Sequence, residues 1–437
     1  MSHDSTARAL LAQEARSLLT RIDRLSPFAL RMPMVSAATV SPAAQTGVET
    51  LLMHGRRDLS AAVRAYLAWL RSKEHTPTAA RAQRRFNILR LRFNTVIRHF
   101  DVFASVLGQR SEHETGVWVA GLDDVAADAL ALPGRYFVAP PIICYLDRNH
   151  GAAIRRAYTR LPGGQANPVA VVSIPRERMI GSGIASSLVH EVGHQGAAML
   201  KLLPSLRAEL RDRQRREPDR AVAWRWFEKW ISEIMADFWS LARIGVGSTL
   251  GLMAVLSLPR PFVFHLDPQD PHPIPWLRVK VSCAFGERLY PHPQWRRLAM
   301  VWQALYPADG VDPAVRGVIS SCEAVAGELA ALIADHRPAS LRGERLGDVL
   351  ASERMQPESL QAQFAAWRAR PRLVEAAGPC HVFAVIGQAR ADNKLSPEAE
   401  ARALSRLLTY WALNSSLETT AHCAPRIRGA TSPAALI

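Results

Sequence analysis

Residues 182–203, SGIASSLVHEVGHQGAAMLKLL, combine a helical period with three titratable side chains one turn apart. Ile184, Leu188, Val192 and Leu200 recur at the spacing of one helix face, and the Gly-Ser-Gly at 181–183 is a start signal ahead of them. His190 and His194 stand four residues apart, so on a helix their imidazoles lie one above the other and can reach a single metal ion. Glu191 is displaced to the side, where a water on that metal would sit. This His-Glu-x-x-His spacing is the geometry of a zinc hydrolase.

The next helical segment, AVAWRWFEKWISEIMADFWSLARIGVG at 221–247, carries a second pair at the same interval, Glu233 and Asp237. Both stand among Trp224, Phe227, Trp230, Ile234, Phe238, Trp239 and Leu241, and carboxylates amid so much apolar surface are costly to bury without a cation or a donor. A zinc site supplies both. Glu233 is expected as the third protein ligand after His190 and His194, leaving the fourth position for water, and Asp237 as the acceptor for the second ring N–H of a ligand histidine. Two imidazoles and one carboxylate make a catalytic set, since structural zinc sites are closed by four protein ligands. One Zn2+ per chain is the expected cofactor.

With these residues in hand, the chain resembles the gluzincin zinc metallopeptidases, whose His-Glu-x-x-His is followed further along by Glu and, four residues later, Asp. The E-I-M-A-D at 233–237 is similar to the E-x-x-A-D of the heat-shock and prenyl-protein endopeptidase branch. DPHPIPWLRVK at 270–280 is similar to the H-P-x-x-x-x-R element of that branch, with His272 and Arg278 in the matching positions. The resemblance covers roughly residues 140–300. It implies a soluble relative with a zincin-like core: a small sheet with an edge strand above the zinc, an active-site helix and a glutamate-ligand helix. The edge strand, which in that fold pairs with an extended substrate, is expected in NPVAVVSIP at 167–175, with an ordinary strand of the sheet as the equal alternative. The resemblance also implies that His272 helps to stabilise the oxyanion and that Arg278 orients or neutralises a carboxylate in the cleft.

The function expected from these motifs is a zinc-dependent metalloendopeptidase. The metal polarises the scissile carbonyl and activates a water, from which Glu191 takes a proton as general base before passing it to the leaving amine. A second donor to the oxyanion is needed; His272 is the first choice, with Tyr290 or His292 of YPHPQW as substitutes. The alternative is a catalytically idle peptidase-like fold that serves as a basic protein- or nucleic-acid-binding module. Retention of Glu191 weighs against it, because a structural metal site has no use for a general base.

Outward from the motifs, helical periods occupy roughly residues 6–109 and return from 302, whereas PPIICYLDR and NPVAVVSIP read as strands. The fold class expected is α+β and mostly helical: an α-helical N-terminal region (1–129), the zincin-like core (130–300) and an α-helical C-terminal region (301–437). Of the 437 residues 48% are hydrophobic and 21% charged, which excludes wholesale disorder and fibrous repeats. Five cysteines without a CxxC argue against a disulfide scaffold and for a reducing compartment. The N-terminus has no uninterrupted apolar run, and the most apolar stretch, 246–266, is cut by Pro259, Arg260 and Pro261, so a soluble cytoplasmic protein is expected. The net charge of +15 rests on 49 arginines and only five lysines. Their spread from Arg8 to Arg428 reads as composition more than as a nucleic-acid patch. A protein or peptide substrate is the expected partner, with nucleic acid behind it.

Overall fold

The N-terminal helical period forms α1 (His3–Arg24), α2 (Pro42–Arg71), α3 (Ala79–Gly108) and α4 (His113–Leu130), in a computed structural model that describes residues 3–72, 77–148, 151–161, 165–175 and 181–423. Ser41 and Thr78 start α2 and α3 by accepting the backbone N–H of Ala44 and Arg81, groups for which a helix has no internal partner. Leu11, Leu18 and Ile22 of α1, Leu59, Val63 and Tyr66 of α2, and Phe86 and Leu89 of α3 bury one another as a three-helix bundle.

A small sheet follows, β1 (Ile142–Asp147), β2 (Ala153–Arg155) and β3 (Ala170–Pro175), in the order β1-β3-β2. β1 and β3 are parallel, with Ile142 opposite Ala170, and β2 and β3 antiparallel, with Ile154 opposite Val172. This corrects the expectation of an edge strand in 167–175, because β3 is the centre of the sheet. The reason lies in its two faces. Ala170, Val172 and Ile174 join the core around the histidine helix, while Val169 and Val171 join Val48, Leu52, Phe100 and Phe103 of α2 and α3 on the other side. A strand apolar on both faces has to be covered on both, as in interior strands. The edges are β1 and β2. Residues 176–180, which follow β3, lie outside the described residues.

The chain continues through α5 (Ser182–Met199), α6 (Leu202–Arg216), α7 (Ala221–Ile244), α8 (Val246–Leu256), α9 (Arg260–Val263) and α10 (Pro275–Leu289). It ends with α11 (Gln294–Leu305), α12 (Pro313–Ala324), α13 (Ala326–Asp335), α14 (Leu346–Leu350), α15 (Pro357–Ala369), α16 (Pro379–Ala391) and α17 (Pro397–Cys423). From Trp230 onward α7 is buried nearly all round, which marks a helix at the centre of a large core. Neighbours on its sides include α5, α6, α8, α10, α12 and α16. One hydrophobic cluster runs from Val119 of α4 to Trp411 of α17. Of the described residues 73% are helical, beside a three-stranded sheet, an α+β and mostly helical fold.

Among the described residues no single helix is long and apolar enough to cross a membrane. Cys144, Cys283, Cys322 and Cys380 are free thiols in the core.

Candidate metal centre

The site is made by the close approach of α5 and α7, and two glycines permit it. A Cβ on Gly193 would stand 2.9 Å from the Cβ of Trp239 and 3.0 Å from the backbone of Ala236, and one on Gly196 would stand 2.4 Å from the Trp239 ring. The histidine helix therefore lies directly on the backbone of the glutamate helix. Trp239 closes the seam and donates its Nε1–H to the carbonyl of Ala129 at 3.0 Å.

Across this seam His190, His194 and Glu233 converge, with one ligand atom from each lying within 4.8 Å of the others. Nε2 of His190 is 3.2 Å from Glu233 Oε2, and Nε2 of His194 is 3.5 Å from Oε1. Ligands on a tetrahedral zinc with bonds of about 2.1 Å stand about 3.4 Å apart, so the donor set fits that ion in both chemistry and spacing. The two imidazoles meet edge to face, 4.9 Å between ring centres. Each retains a group on its other nitrogen: Asp237 Oδ1 lies 2.8 Å from His190 Nδ1, and Ser232 Oγ lies 3.4 Å from His194 Nδ1. A carboxylate can only accept, so His190 Nδ1 donates its proton to Asp237, and Nε2, which faces Glu233, is the nitrogen that would give up its proton to a metal.

Arg278, on α10, reaches the same cluster. Its Nε donates to Asp237 Oδ2 at 2.6 Å and its Nη2 to Oδ1 at 2.8 Å. Burial by itself would push the Asp237 carboxyl up; the Arg278 charge and hydrogen bonds outweigh that and hold it at about 2. Burial would likewise lower the His190 pKa, but the Asp237 charge, with hydrogen bonds to Asp237 and Glu233, brings it up to about 9. Glu233 is held far below the usual carboxylate range: burial raises it, and the two histidines more than reverse the effect. The cluster is a connected network of charges, which is how buried ionisable groups are tolerated.

His272 lies just before α10 and is half exposed. Its Nε2 is 3.4 Å from Glu233 Oε2, and its Nδ1 is 2.6 Å from Asp270 Oδ1. That oxygen also accepts the backbone N–H of His272 at 2.9 Å. Glu191 is partly exposed and near enough to Arg278 for its charge to stabilise the guanidinium.

The two substitute oxyanion donors are elsewhere. Tyr290 is buried with its hydroxyl given to the carbonyl of Ala242 at 2.7 Å, and burial pushes its pKa up. It is a core residue at the far end of α7. His292 Nδ1 accepts the backbone N–H of Gln294, and its Nε2 is 3.7 Å from Glu358. YPHPQW is the turn that joins α10 to α11, and neither side chain belongs with the histidine cluster. Sequence reasoning missed Ser232, Asp270 and the two glycines. Asp270 had a signal, an acid two residues before a His-Pro pair, where its side chain closes a turn on the backbone.

No protein-family model, curated protein or solved structure matches the chain.

Proposed function

We propose that the chain is a zinc-dependent metalloendopeptidase. The observation that carries this reading is the convergence of His190, His194 and Glu233 with Glu191 on the same helix as both histidines. A closed structural site would present a fourth protein donor to the metal. Here three donors converge, and a potential base stands beside them.

Zinc held by His190, His194 and Glu233 would supply Lewis acidity toward a peptide carbonyl and toward water. The remaining work falls to the chain. Glu191 takes a proton from the attacking water and returns it to the nitrogen of the leaving amine as the C–N bond breaks. His272 faces the developing oxyanion; with Nδ1–H committed to Asp270, it offers an Nε2–H to that oxygen only as the imidazolium. Asp237 fixes the tautomer of His190, and Arg278 keeps Asp237 ionised and in place.

The strand suited to a peptide is β2, whose outer side has no strand partner among the described residues. β2 is close to the site. The backbone N–H of Ala157, two residues beyond it, donates to Gln195 Oε1 at 2.9 Å, and Gln195 follows His194. An extended substrate pairing there is bound through its backbone whatever its sequence.

The test is cleavage of a peptide library by zinc-loaded protein, comparing wild type with Glu191→Gln. The variant should bind zinc as wild type does and lose about 100-fold or more of its rate. Equal cleavage by both proteins would remove Glu191 as the base, and no cleavage by either would remove the peptidase reading.

A further inference from the structure

The positive charge of the chain is unevenly distributed. Residues 1–108 hold sixteen Lys and Arg against seven Asp and Glu, a surplus of nine out of the fifteen of the whole chain. Within them α3 is the extreme: Arg81, Arg84, Arg85, Arg90, Arg92 and Arg98 against the single acid Asp101, and no lysine. All six arginines are exposed. The inner face of α3, through Ala82, Phe86, Leu89 and Phe93, is spent on α1 and α2. At 100° per residue Arg84, Leu91 and Arg98 form the ridge pointing away from that face, with Arg81, Arg85 and Arg92 along one flank.

Several exposed arginines elsewhere neutralise carboxylates, among them Arg213 with Glu217, Arg220 with Glu328, Arg288 with Asp335 and Arg345 with Asp348. None of the six on α3 makes an ion pair among the described residues. Arg85 instead lies over Trp69 of α2, 4.1 Å from its ring. Together with Ala62, Ile88 and Arg92 they line a groove of about 250 Å3 between the two helices. The positive field reaches the sheet: burial first, then the charges of Arg155 on β2 and of Arg98, lower the pKa of His99 at the end of this face.

We infer that the outer face of α3 binds the phosphate backbone of nucleic acid. Unpaired guanidiniums match phosphate oxygens with two parallel donors, which ammonium groups do not, and a helix already folded presents them without ordering any backbone. Asn87 and Asn94 stand between the arginines and add exposed amide groups of the kind that bond phosphate and sugar oxygens. Arg81 to Arg98 spans about 25 Å, within one turn of a duplex, so several phosphates can be engaged together. The alternative polyanion is an anionic membrane surface. It would need a broad apolar face to insert, and beside the arginines α3 exposes only Ile88 and Leu91.

The experiment is fluorescence anisotropy of the full chain with a labelled duplex of about 20 bp, titrated from about 50 to 300 mM salt. Binding should weaken steeply with salt. In the combined Arg81→Gln, Arg84→Gln, Arg92→Gln, Arg98→Gln variant the slope of log K against log salt should flatten by about one unit for each phosphate that is no longer neutralised. An equal-charge control, Arg368→Gln, Arg370→Gln, Arg372→Gln and Arg406→Gln, should leave it unchanged. No binding at the lowest salt, the same loss in the control, or capture by vesicles of phosphatidylserine and phosphatidylcholine without capture by the duplex would each overturn the inference. Should the α3 variant lose its helical circular dichroism, phenylglyoxal footprinting of the wild type answers instead. Bound duplex should shield Arg84, Arg92 and Arg98, and modification unchanged by the duplex would overturn the assignment.

Discussion

Arg278 grips Asp237 with two hydrogen bonds, and the Asp237 oxygen that receives the second of them is the one that meets His190 Nδ1 at 2.8 Å. The orientation of a ligand histidine therefore depends on an arginine whose Nη2 also lies 3.3 and 3.5 Å from the two nitrogens of that imidazole. Asp237→Ala should lower zinc affinity about 10- to 100-fold, read by competition with a chromogenic chelator. Arg278→Gln should destabilise the fold by about 3 kcal/mol, because it leaves a buried carboxylate without its cation. Unchanged zinc affinity in Asp237→Ala would show that His190 is oriented by packing alone.

The seam between α5 and α7 predicts a different failure. Gly196→Ala drives a methyl into the Trp239 ring and should cost about 1–3 kcal/mol through overpacking. Because the helices must separate to admit it, zinc binding should weaken as well, although no ligand has been touched. A Gly196→Ala protein with normal zinc affinity and melting temperature would show that Trp239 can move aside.

Asp124 on α4 gives a pH dependence remote from the metal. Burial, reinforced by the charge of neighbouring Asp123, pushes its pKa up from 3.8 to about 7. A folded-state value above the unfolded one means that the group favours folding below about pH 4 and that this contribution is lost as pH rises through 7. Asp124→Asn, which carries no charge, should therefore raise the melting temperature at pH 8 and leave the gap between variant and wild type much smaller near pH 4. A variant no more stable than wild type at pH 8 would contradict this.

Tyr290 tests the separation of core from site. Tyr290→Phe removes one buried hydrogen bond, to Ala242, and should cost about 1 kcal/mol with the carbonyl left unpaired. Peptide cleavage by the folded variant should match wild type. A large loss of turnover with unchanged stability would bring Tyr290 back as an oxyanion donor.

The two site helices were legible because each is long, strongly periodic and marked by side chains four residues apart. Asp237 beside His190 could be anticipated from the cost of burying a carboxylate among tryptophans. The sheet was less legible. β2 is three residues, Ala-Ile-Arg, too short to show an alternation, so nothing announced a strand on the far side of β3. The apolar run Val169–Val172, resumed at Ile174 after Ser173, was the available sign that β3 is covered on both faces, and it reads equally well for an edge strand under a loop. The concentration of charge on α3 was hidden for another reason. Arginines three, four and seven apart look dispersed along a linear chain and gather on one side only when a helix is wound and its inner face is occupied.

The cluster that runs unbroken from Val119 to Trp411 has a consequence for how the molecule comes apart. The helix bearing Glu233 is enclosed by helices from both sides of it in sequence, so no cut in the chain frees the metal-binding residues with their surroundings intact. Heat or denaturant should dismantle this block in a single cooperative step, with the helices beyond residue 300 melting together with α5 and α7. The outer end of the bundle, where α1 packs on α2 and α3 in a cluster of its own, is the part able to open separately, whereas the inner ends of α2 and α3 are tied to the sheet. Limited proteolysis should accordingly trim the N-terminal helices first and should not release a smaller active core.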